Sequence, residues 1–437
     1  MQKMKKYKLT CLLIGLCFGL QAQEILTVQK AIEIAVEKNY DVRVAKNNSA
    51  ISEVEKSTLN SGYLPRVTLS SGVNYSDETQ SVTFSDGNST TINGAVTESY
   101  NASLTAEYTL FDGFERKFTN LKNQENFNLK KIEEKQSIEN TIVSIYQMYY
   151  DVAFQSEVVK NLAFNVQNSK DRLDRAKRRI KFGQGTKLDE LNAQVDLNND
   201  SISYTTSLKD LNNLKRKLNL LLGRKIEETY EIDTLVQFSE MVSVEDIIAS
   251  SEENNVTSLL RKQNLLLSDL DININKAKFL PKISGSAGYR WNESINPPTS
   301  FALNNEAYGV NLGLSLTWNI FDGGRSKTQV KTAKIRKENR AIELLQAKEQ
   351  LKSDVLNAYD DYKNKLFKLQ AEEQNVELNK LSFSRTQKQF SLGQVNSLEF
   401  RQTQINQLNA FNNYARAKYD LKIAEINLKQ LSGKLVE

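Results

Sequence analysis

Two stretches in each half of the chain alternate apolar and polar residues with a period of two. The first half does so at about 66–76 and 99–111, and the second half at about 282–291 and 308–321. Such alternation predicts β-strands with one apolar and one polar face. Each stretch runs for about 10 residues or more, which is enough to cross a bilayer when the strand is tilted. The pattern therefore favours four membrane strands over hairpins packed on a soluble core.

Aromatic residues gather near both ends of these stretches, as they do in the interfacial girdles of outer-membrane barrels. The polar segments between the strands, at 76–98 and 292–306, fit exposed loops. Because closure takes about eight strands and an open edge is not tolerated in lipid, four strands predict an oligomer of two, three or more chains. The predicted girdle consists of Tyr75, Tyr100, Trp291 and Tyr308 at one end and Tyr108, Phe111, Trp318 and Phe321 at the other.

Most of the remaining chain carries apolar residues at alternating steps of three and four. This heptad spacing predicts long helices in left-handed coiled coils. A helix of about 67 residues rises about 100 Å, and helices of half that length could stack end to end beside it. The predicted long helices lie at 115–181 and 325–390, and the shorter ones at 27–60, 187–221, 244–278 and 398–431.

The same order of landmarks occurs twice along the chain. Leu64-Pro65 reappears as Leu280-Pro281, and the glycine at 183 reappears at 393. The shift is 216 residues for the first landmark and 210 for the second, and each shift holds over a long stretch, so we interpret the chain as a tandem duplication. The predicted segments are a signal peptide at 1–22, a first repeat at 23–223, a connecting segment at 224–242 and a second repeat at 243–437.

The first residues have the layout of a secretory signal peptide, with four lysines among the first eight residues, a short apolar run and a small residue at Ala22. Removing residues 1–22 lowers the formal charge from +5 to +1 and takes away both cysteines. The mature chain therefore gives no argument for nucleic-acid binding. A disulfide scaffold is also excluded.

The composition speaks against enzymatic chemistry. The chain contains no histidine, which excludes Ser-His-Asp and Cys-His nucleophile systems and histidine-ligated metals. It also lacks the GxxxxGK[ST] phosphate loop and the GxSxG elbow. We therefore expect no catalytic residues, no cofactor and no metal site.

Several motifs resemble those of the outer-membrane efflux protein family, also called the TolC family, over nearly the whole mature chain. They mark the opening helix, the kink before each first strand, the end of each strand pair and the tip of the first helical hairpin. The motifs are Leu26 to Ala31 with Asn39, Leu64-Pro65 and Leu280-Pro281, Phe111-Asp112-Gly113 and Phe321 to Arg325, and Gly183 to Gln194.

The resemblance implies a mixed α+β membrane protein with long coiled-coil helices and four membrane β-strands per chain. Three chains would form a 12-stranded β-barrel in the outer membrane of a Gram-negative bacterium and an α-helical barrel in the periplasm. This homotrimer would be a passive exit channel of a tripartite efflux pump or a type I secretion system. Its partners would be a periplasmic adaptor protein and an inner-membrane pump of the RND or ABC type.

The resemblance also implies functional residues at the hairpin tips. Glu399 matches an acid of the family's cation-attracting entrance ring, and Asp189 with Glu190 occupies the equivalent place in the first repeat. The second ring acid matches Gln402 and a locking arginine matches Val395, so this chain departs from that gate. All three acids also fit plain helix starts, where carboxylates favour the dipole. The predicted adaptor contacts are Gly183, Gly185, Leu188, Gly393 and Leu398.

A secreted coiled-coil adhesin or scaffold without a pore is the main alternative. It would explain a signal peptide and heptads, but it would not explain matching membrane-length strands in both halves. The alternation at 100–110 and 308–320 separates the two readings. The sequence leaves the cargo open among antibiotics, metals and proteins.

Overall fold

The computed structural model describes residues 25–240, 242–298 and 300–436. The predicted signal peptide at 1–22 lies outside the described residues. Among the described helices, none has a stretch that is both long and apolar enough to cross a membrane.

The chain divides into two compact units, each made of segments from both halves. The helical unit comprises the described parts of 1–48, 132–259 and 346–437. The sheet unit comprises 49–131 and 260–345. Each unit therefore draws on both sequence repeats.

Eight helices account for most of the described chain, and the two longest each have 67 residues. Among the shorter helices, two pairs of consecutive helices are separated by a single residue, at 39 and at 255. In chain order the helices are α1 (Val28–Lys38), α2 (Tyr40–Glu55), α3 (Glu115–Lys181), α4 (Lys187–Leu222), α5 (Val244–Asn254), α6 (Val256–Ala277), α7 (Arg325–Ser391) and α8 (Ser397–Leu431).

Six strands form two sheets among the described residues. The two-residue strands β1 and β4 pair in parallel, and the other four form an antiparallel sheet in the order β2-β3-β5-β6. This order leaves one side of β2 and one side of β6 as the sheet edges. The strands are β1 (Ile25–Leu26), β2 (Arg66–Thr83), β3 (Ser89–Phe111), β4 (Glu231–Ile232), β5 (Lys282–Ile295) and β6 (Asn304–Thr317).

The register of the large sheet places its apolar residues in rows on one face. One row contains a residue from each strand, and all four side chains are at least half exposed. The neighbouring row on the opposite face is polar or small. The apolar row is Leu69, Leu104, Tyr289 and Val310, and the polar row is Thr68, Thr105, Gly288 and Asn311.

The strands of the first hairpin are longer than the sequence predicts. β2 continues to Thr83 and β3 begins at Ser89, so most of the segment 76–98 is strand and not loop. The alternation gives way to a mostly polar stretch. This stretch shows no period of two, although its backbone still pairs between β2 and β3. In the second hairpin β6 ends at Thr317, so Trp318 and Phe321 lie beyond the strand in which they were predicted.

Each predicted opening helix is broken at one asparagine. The helix predicted at 27–60 divides at Asn39, and the one at 244–278 divides at Asn255. The Asn39 amide donates to the carbonyl of Leu221 over 2.8 Å, while its Oδ1 accepts from the backbone N–H groups of residues 41 and 42. Asn255 makes the equivalent bonds to Leu431 and to the N–H of residue 257. These buried side chains cap one helix and anchor it to another.

Tyrosines dominate the main core of the helical unit. Tyr149 and Tyr150 of α3 are fully buried, and Tyr150 stacks on Tyr419 of α8 with 5.3 Å between ring centroids. The Tyr149 hydroxyl donates to the carbonyl of Leu26, 2.8 Å away, because a buried hydroxyl needs a partner. Desolvation by burial raises the pKa of Tyr149 above its ordinary value. The core therefore ties the start of the chain to both halves.

A row of charged residues on α8 holds the connecting segment. Lys422 donates to the carbonyl of Gln237 over 2.7 Å, and Lys429 donates to the hydroxyl of Ser239 over 2.8 Å. Glu425 is fully buried between the two lysines, at 2.9 and 3.1 Å. Burial alone would raise its pKa, but the hydrogen bonds and charges of the lysines hold that pKa below its ordinary value. The connecting segment is thus held by hydrogen bonds from charged side chains of α8.

We predict that Asn39→Ala destabilises the protein by about 1–3 kcal/mol, since it removes a cap and leaves the Leu221 carbonyl without its donor. Asn39→Asp keeps the accepting oxygen and loses the amide donor. Its stability should therefore lie between that of the unaltered protein and that of Asn39→Ala. Thermal unfolding followed by circular dichroism measures the change. Asn47→Ala on the exposed side of α2 is the control, with an expected change within about 0.5 kcal/mol. Equal effects at both positions would contradict the anchoring role.

Candidate functional site

The turn between α3 and α4 is fixed by backbone and side-chain caps. Gly183 has a φ of +69°, a conformation that glycine adopts without strain, and it ends α3. Thr186 and Asp189 then form a capping box at the start of α4. The hydrogen bonds that Asp189 accepts from Thr186 lower the pKa of its carboxyl. The local sequence therefore specifies a tight reversal.

The turn between α7 and α8 repeats this design with different residues. Gly393 has a φ of +74° and ends α7. Asn396 caps α8, and its Oδ1 accepts from the backbone N–H of Glu399 over 2.8 Å. No strand or bulky loop follows either glycine, so both long helices end in short turns.

Apolar side chains are exposed around both turns. Two of them, Leu188 and Leu398, are predicted contact residues, with 65% and 79% of their surface exposed. Phe182 and Leu392 immediately precede the turn glycines and are similarly exposed. Both lie within the tip segments 182–188 and 390–398 that the sequence predicts as adaptor contacts. Four exposed apolar residues at two helix ends are typical of a surface that contacts another molecule.

The structure separates the roles of the three predicted ring acids. Asp189 serves the capping box, and Glu190 pairs with Lys187 over 2.6 Å. Glu399 keeps an exposed side chain in the first turn of α8. Glu399 and Asp189 both line a cleft of about 490 Å³ between the two turns. Glu190 is outside that lining.

Further from the turns, an ionic network joins α3, α4 and α8. Arg401 of α8 holds both carboxylate oxygens of Asp200 over 2.7 and 2.8 Å. Ser169 of α3 donates to the same carboxylate over 2.5 Å. Arg172 of α3 pairs with Asp196 of α4. Asp200, Ser169 and Arg172 are almost completely buried, so the network replaces water as their partner.

Sequence reasoning missed this network, because charged residues on heptad helices are normally taken as solvated. Its members stand on three helices and meet only when α8 packs beside the first hairpin. Burial lowers the pKa of Arg172, with the nearby Asp196 acting in the opposite direction. The arrangement consists of charged and hydrogen-bonding groups that link residues of three helices. It is suited to holding helices together.

The aromatic residues predicted as girdles lie on the large sheet or next to it. Trp291 pairs in register with Tyr308, and Tyr100 lies two positions along from that pair. Tyr75 is in the same part of the sheet, opposite the residue at 98. The other group lies towards the opposite strand ends, where Tyr108 and Phe111 are in β3. There Trp318 follows β6 and donates through its indole N–H to the carbonyl of Phe279 over 3.0 Å.

The antiparallel sheet with its exposed apolar face and the paired long helices together define the class of outer-membrane channel proteins. The sequence profile described as "outer membrane efflux protein" matches residues 31–224 and 262–434. The chain therefore belongs to the outer membrane efflux protein family. This membership confirms the resemblance that the motifs indicate, the mixed helical and β-sheet class and the outer-membrane location.

Individual relatives are distant in sequence. The outer membrane protein TolC of Vibrio cholerae is 20% identical over 267 residues, an alignment that spans 61% of each protein. The chain therefore spans about three fifths of the length of the curated relative that it matches.

Solved structures share the fold over most of the chain. The Campylobacter jejuni CmeC outer membrane channel has a TM-score of 0.76 at 13% identity, covering 94% of this chain and 86% of that one. The open state of the Neisseria gonorrhoeae MtrE outer membrane channel has a TM-score of 0.69 at 16% identity, covering 93% and 89%. At such identities the likeness concerns the fold alone.

We predict that Asp200→Asn destabilises the helical unit by about 1–3 kcal/mol, because it removes the buried carboxylate that pairs with Arg401 and accepts from Ser169. Chemical denaturation of the purified protein, followed by circular dichroism, measures the loss. Asp210→Asn is the matched control, since Asp210 lies on the same helix in an exposed pair with Lys209. The control should change stability by about 1 kcal/mol or less. A similar small effect at both positions would show that the network contributes little.

Proposed function

We propose that the protein is a passive outer-membrane exit channel that exports small molecules or proteins, as part of a tripartite efflux pump or a type I secretion system. One observation carries the proposal. The sheet of four membrane-length strands exposes an apolar face and, among the described residues, its two outer strands each have a partner on one side only. Membership of the outer membrane efflux protein family supports the same conclusion.

Closure of the sheet requires further copies of the chain. Lipid offers no hydrogen bonds, so the free edges of β2 and β6 would cost several kcal/mol for each unpaired backbone group. Pairing β6 of one copy with β2 of the next satisfies both edges. Three copies give twelve strands, which is an even number within the known range of such barrels. We therefore propose a homotrimer whose apolar rows face outer-membrane lipid.

The opposite face of the sheet suits a water-filled interior. Thr68, Thr105 and Asn311 stand on that face, which alternates with the apolar rows. Polar interiors and apolar exteriors are the usual division in membrane barrels. The channel would carry out no chemistry and need no cofactor, so its energy would come from an inner-membrane pump of the RND or ABC type.

The two helical turns are the proposed contact with a periplasmic adaptor. Phe182, Leu188, Leu392 and Leu398 would be unfavourably exposed to water if no partner covered them. Gly183, Gly185 and Gly393 shape these turns. The proposed domain plan has two repeats, each of which ends in a helical hairpin. One connecting segment at 224–242 joins them.

An acidic entrance ring is proposed at the same turns. Asp189 and Glu190 are engaged by Thr186 and Lys187, whereas Glu399 has an exposed carboxylate that lines the cleft. We therefore expect Glu399 to contribute most to any cation preference. Repetition of this residue in three chains would concentrate negative charge around one opening.

The alternative is a coiled-coil adhesin or scaffold without a pore. Both readings predict a folded, helical oligomer, whereas passage of ions is expected of the channel alone.

We predict that the mature protein, purified in detergent and added to a planar lipid bilayer, produces discrete and repeatable conductance steps. Glu399→Gln should weaken cation selectivity, because it removes a charge from the entrance, while Glu377→Gln on an exposed part of α7 should leave it unchanged. Reversal potentials under a salt gradient give the selectivity. A folded oligomer that never conducts, even with glycine-turn and Glu399 variants, would favour the adhesin.

A second prediction concerns the two faces of the sheet. Leu312→Arg should reduce assembly into the membrane, because an arginine facing lipid near the midplane costs about 2–4 kcal/mol. The adjacent Asn311→Arg places the same charge on the opposite face and should assemble normally. Folding into lipid vesicles, assayed by heat-modifiable mobility on gels, measures both. Equal loss for both variants would contradict lipid contact at this face.

A further inference from the structure

Three arginines of α3 lie along one side of the cleft between the two turns. Arg172, Arg175 and Arg179 are spaced by three and four residues, which places them on one face of the helix. The start of α8, at Asn396 and Ser397, forms another part of the lining. Helix N-termini present backbone N–H groups and a positive dipole end. The cleft thus brings three guanidinium groups close to a helix start.

Arg172 has hydrogen-bonding capacity that its surroundings do not use. The residue is 4% exposed, and one of its nitrogens pairs with Asp196. Within the residues that the structure describes, its Nε and Nη1 atoms have no hydrogen-bond partner. A buried guanidinium with unpaired donors is unfavourable, and each such group in a native fold calls for an explanation. An anionic group bound in the cleft would lower that cost.

The other two arginines are held in position by neighbouring groups. The Arg175 guanidinium carbon lies 5.4 Å from the centre of the Phe390 ring, and Arg179 donates to the carbonyl of Gln184 over 3.0 Å. These contacts restrict both side chains while leaving further N–H groups on each. Guanidinium groups held in this way lose less entropy when they bind a carboxylate.

Two acids also line the cleft, and the surrounding charge outweighs them. Asp189 is bound to Thr186 within the capping box, which leaves Glu399 as the exposed acid. The segment 170–190 contains eight basic and four acidic residues, and the equivalent segment 380–400 contains three basic residues and one acidic residue. Both segments therefore carry a net positive charge even when their acids are counted, and this charge attracts a negative partner.

We propose that this cleft binds a carboxylate side chain, presented by an acidic helical segment of the partner that docks at the turns. The proposal deepens the proposed function, since it rests on adaptor docking at this site and defines the chemistry of the docking segment. Arg175 and Arg179 contact the carboxylate, and Arg172, whose Nε and Nη1 atoms lack hydrogen-bond partners, adds positive charge beneath it. The exposed apolar residues around the turns pack against the rest of the segment.

The test uses the full mature protein in detergent at about 0.15 M salt, where long-range surface charge is screened over about 8 Å. The probe is a fluorescent helical peptide carrying glutamates, and the same peptide with glutamines is its control. Fluorescence anisotropy should show binding of the first peptide only. Arg175→Gln/Arg179→Gln should weaken that binding about tenfold or more, as expected for loss of charge-assisted hydrogen bonds.

The matched control is Lys177→Gln/Arg178→Gln, which removes two charges from exposed positions on the same turns of α3. It should weaken binding less than about threefold, since its residues lie outside the cleft lining. Equal losses in the two double variants would reduce the effect to diffuse attraction and overturn the proposal. Absence of binding to the unaltered protein would overturn it as well.

Folding and pore function are measured separately from peptide binding. Each variant is first checked for its oligomeric state by size-exclusion chromatography and for conductance in a bilayer. If the cleft double variant fails to assemble, Arg179→Gln takes its place with Arg178→Gln as control. Conductance without peptide binding would reject the carboxylate site alone, whereas binding without conductance would reject the channel.

Discussion

The unpaired edges of the large sheet are the constraint on which the rest of the architecture depends. Four antiparallel strands satisfy the backbone hydrogen bonds between them, but one side of β2 and one side of β6 remain as edges in the described chain. In water such edges invite association, and in lipid they are not tolerated at all. Because of these edges and the exposed apolar rows, a single copy of this sheet needs partners for both its backbone and its apolar face.

The long helices meet a related requirement. A helix of 67 residues with a narrow apolar stripe is stable only beside neighbours. In the helical unit, α3 obtains them from α4 and α8, through Tyr149 and Tyr150 in the core and through the ionic pairs of Arg172 and Arg401. The duplication supplies matching lengths, since α7 also has 67 residues. Equal helices let both turns reach the same level within the unit, which creates the cleft.

Local periodicity predicted most of the fold, and contacts between distant segments account for what it missed. The strand at 100–110 is predictable because its two faces differ, whereas the segment 76–83 is almost entirely polar and shows no such difference. Its pairing with β3 includes side-chain hydrogen bonds, from Thr91 to Ser81 and between Thr83 and Ser89. The break at Asn39 depends on the carbonyl of Leu221, which lies 182 positions away. Heptads run across that break without interruption, so no local signal marked it.

In the candidate site, too, local features could be predicted from the sequence, whereas contacts between helices could not. Turn glycines and caps are local features, so the sequence points to Gly183, Gly393 and Glu399, which stand at the two turns. Their functional roles stay predictions. It could not locate Arg172 and Arg401 as members of one network, because their partners belong to other helices. From sequence alone, a charged residue on a helix is taken to be solvated, because its partner on a neighbouring helix is not known.

The ionic network exists in only one of the two repeat-related settings. Arg401 and Asp200 correspond, by the fixed offset between the repeats, to Leu191 and Ala410, which form no ion pair. The contact of α8 with the first hairpin therefore depends on charge, and the equivalent positions of the other repeat cannot form the same pair. Loss of either charge would weaken this contact, whereas charge substitutions at the equivalent positions would have no ion pair to break.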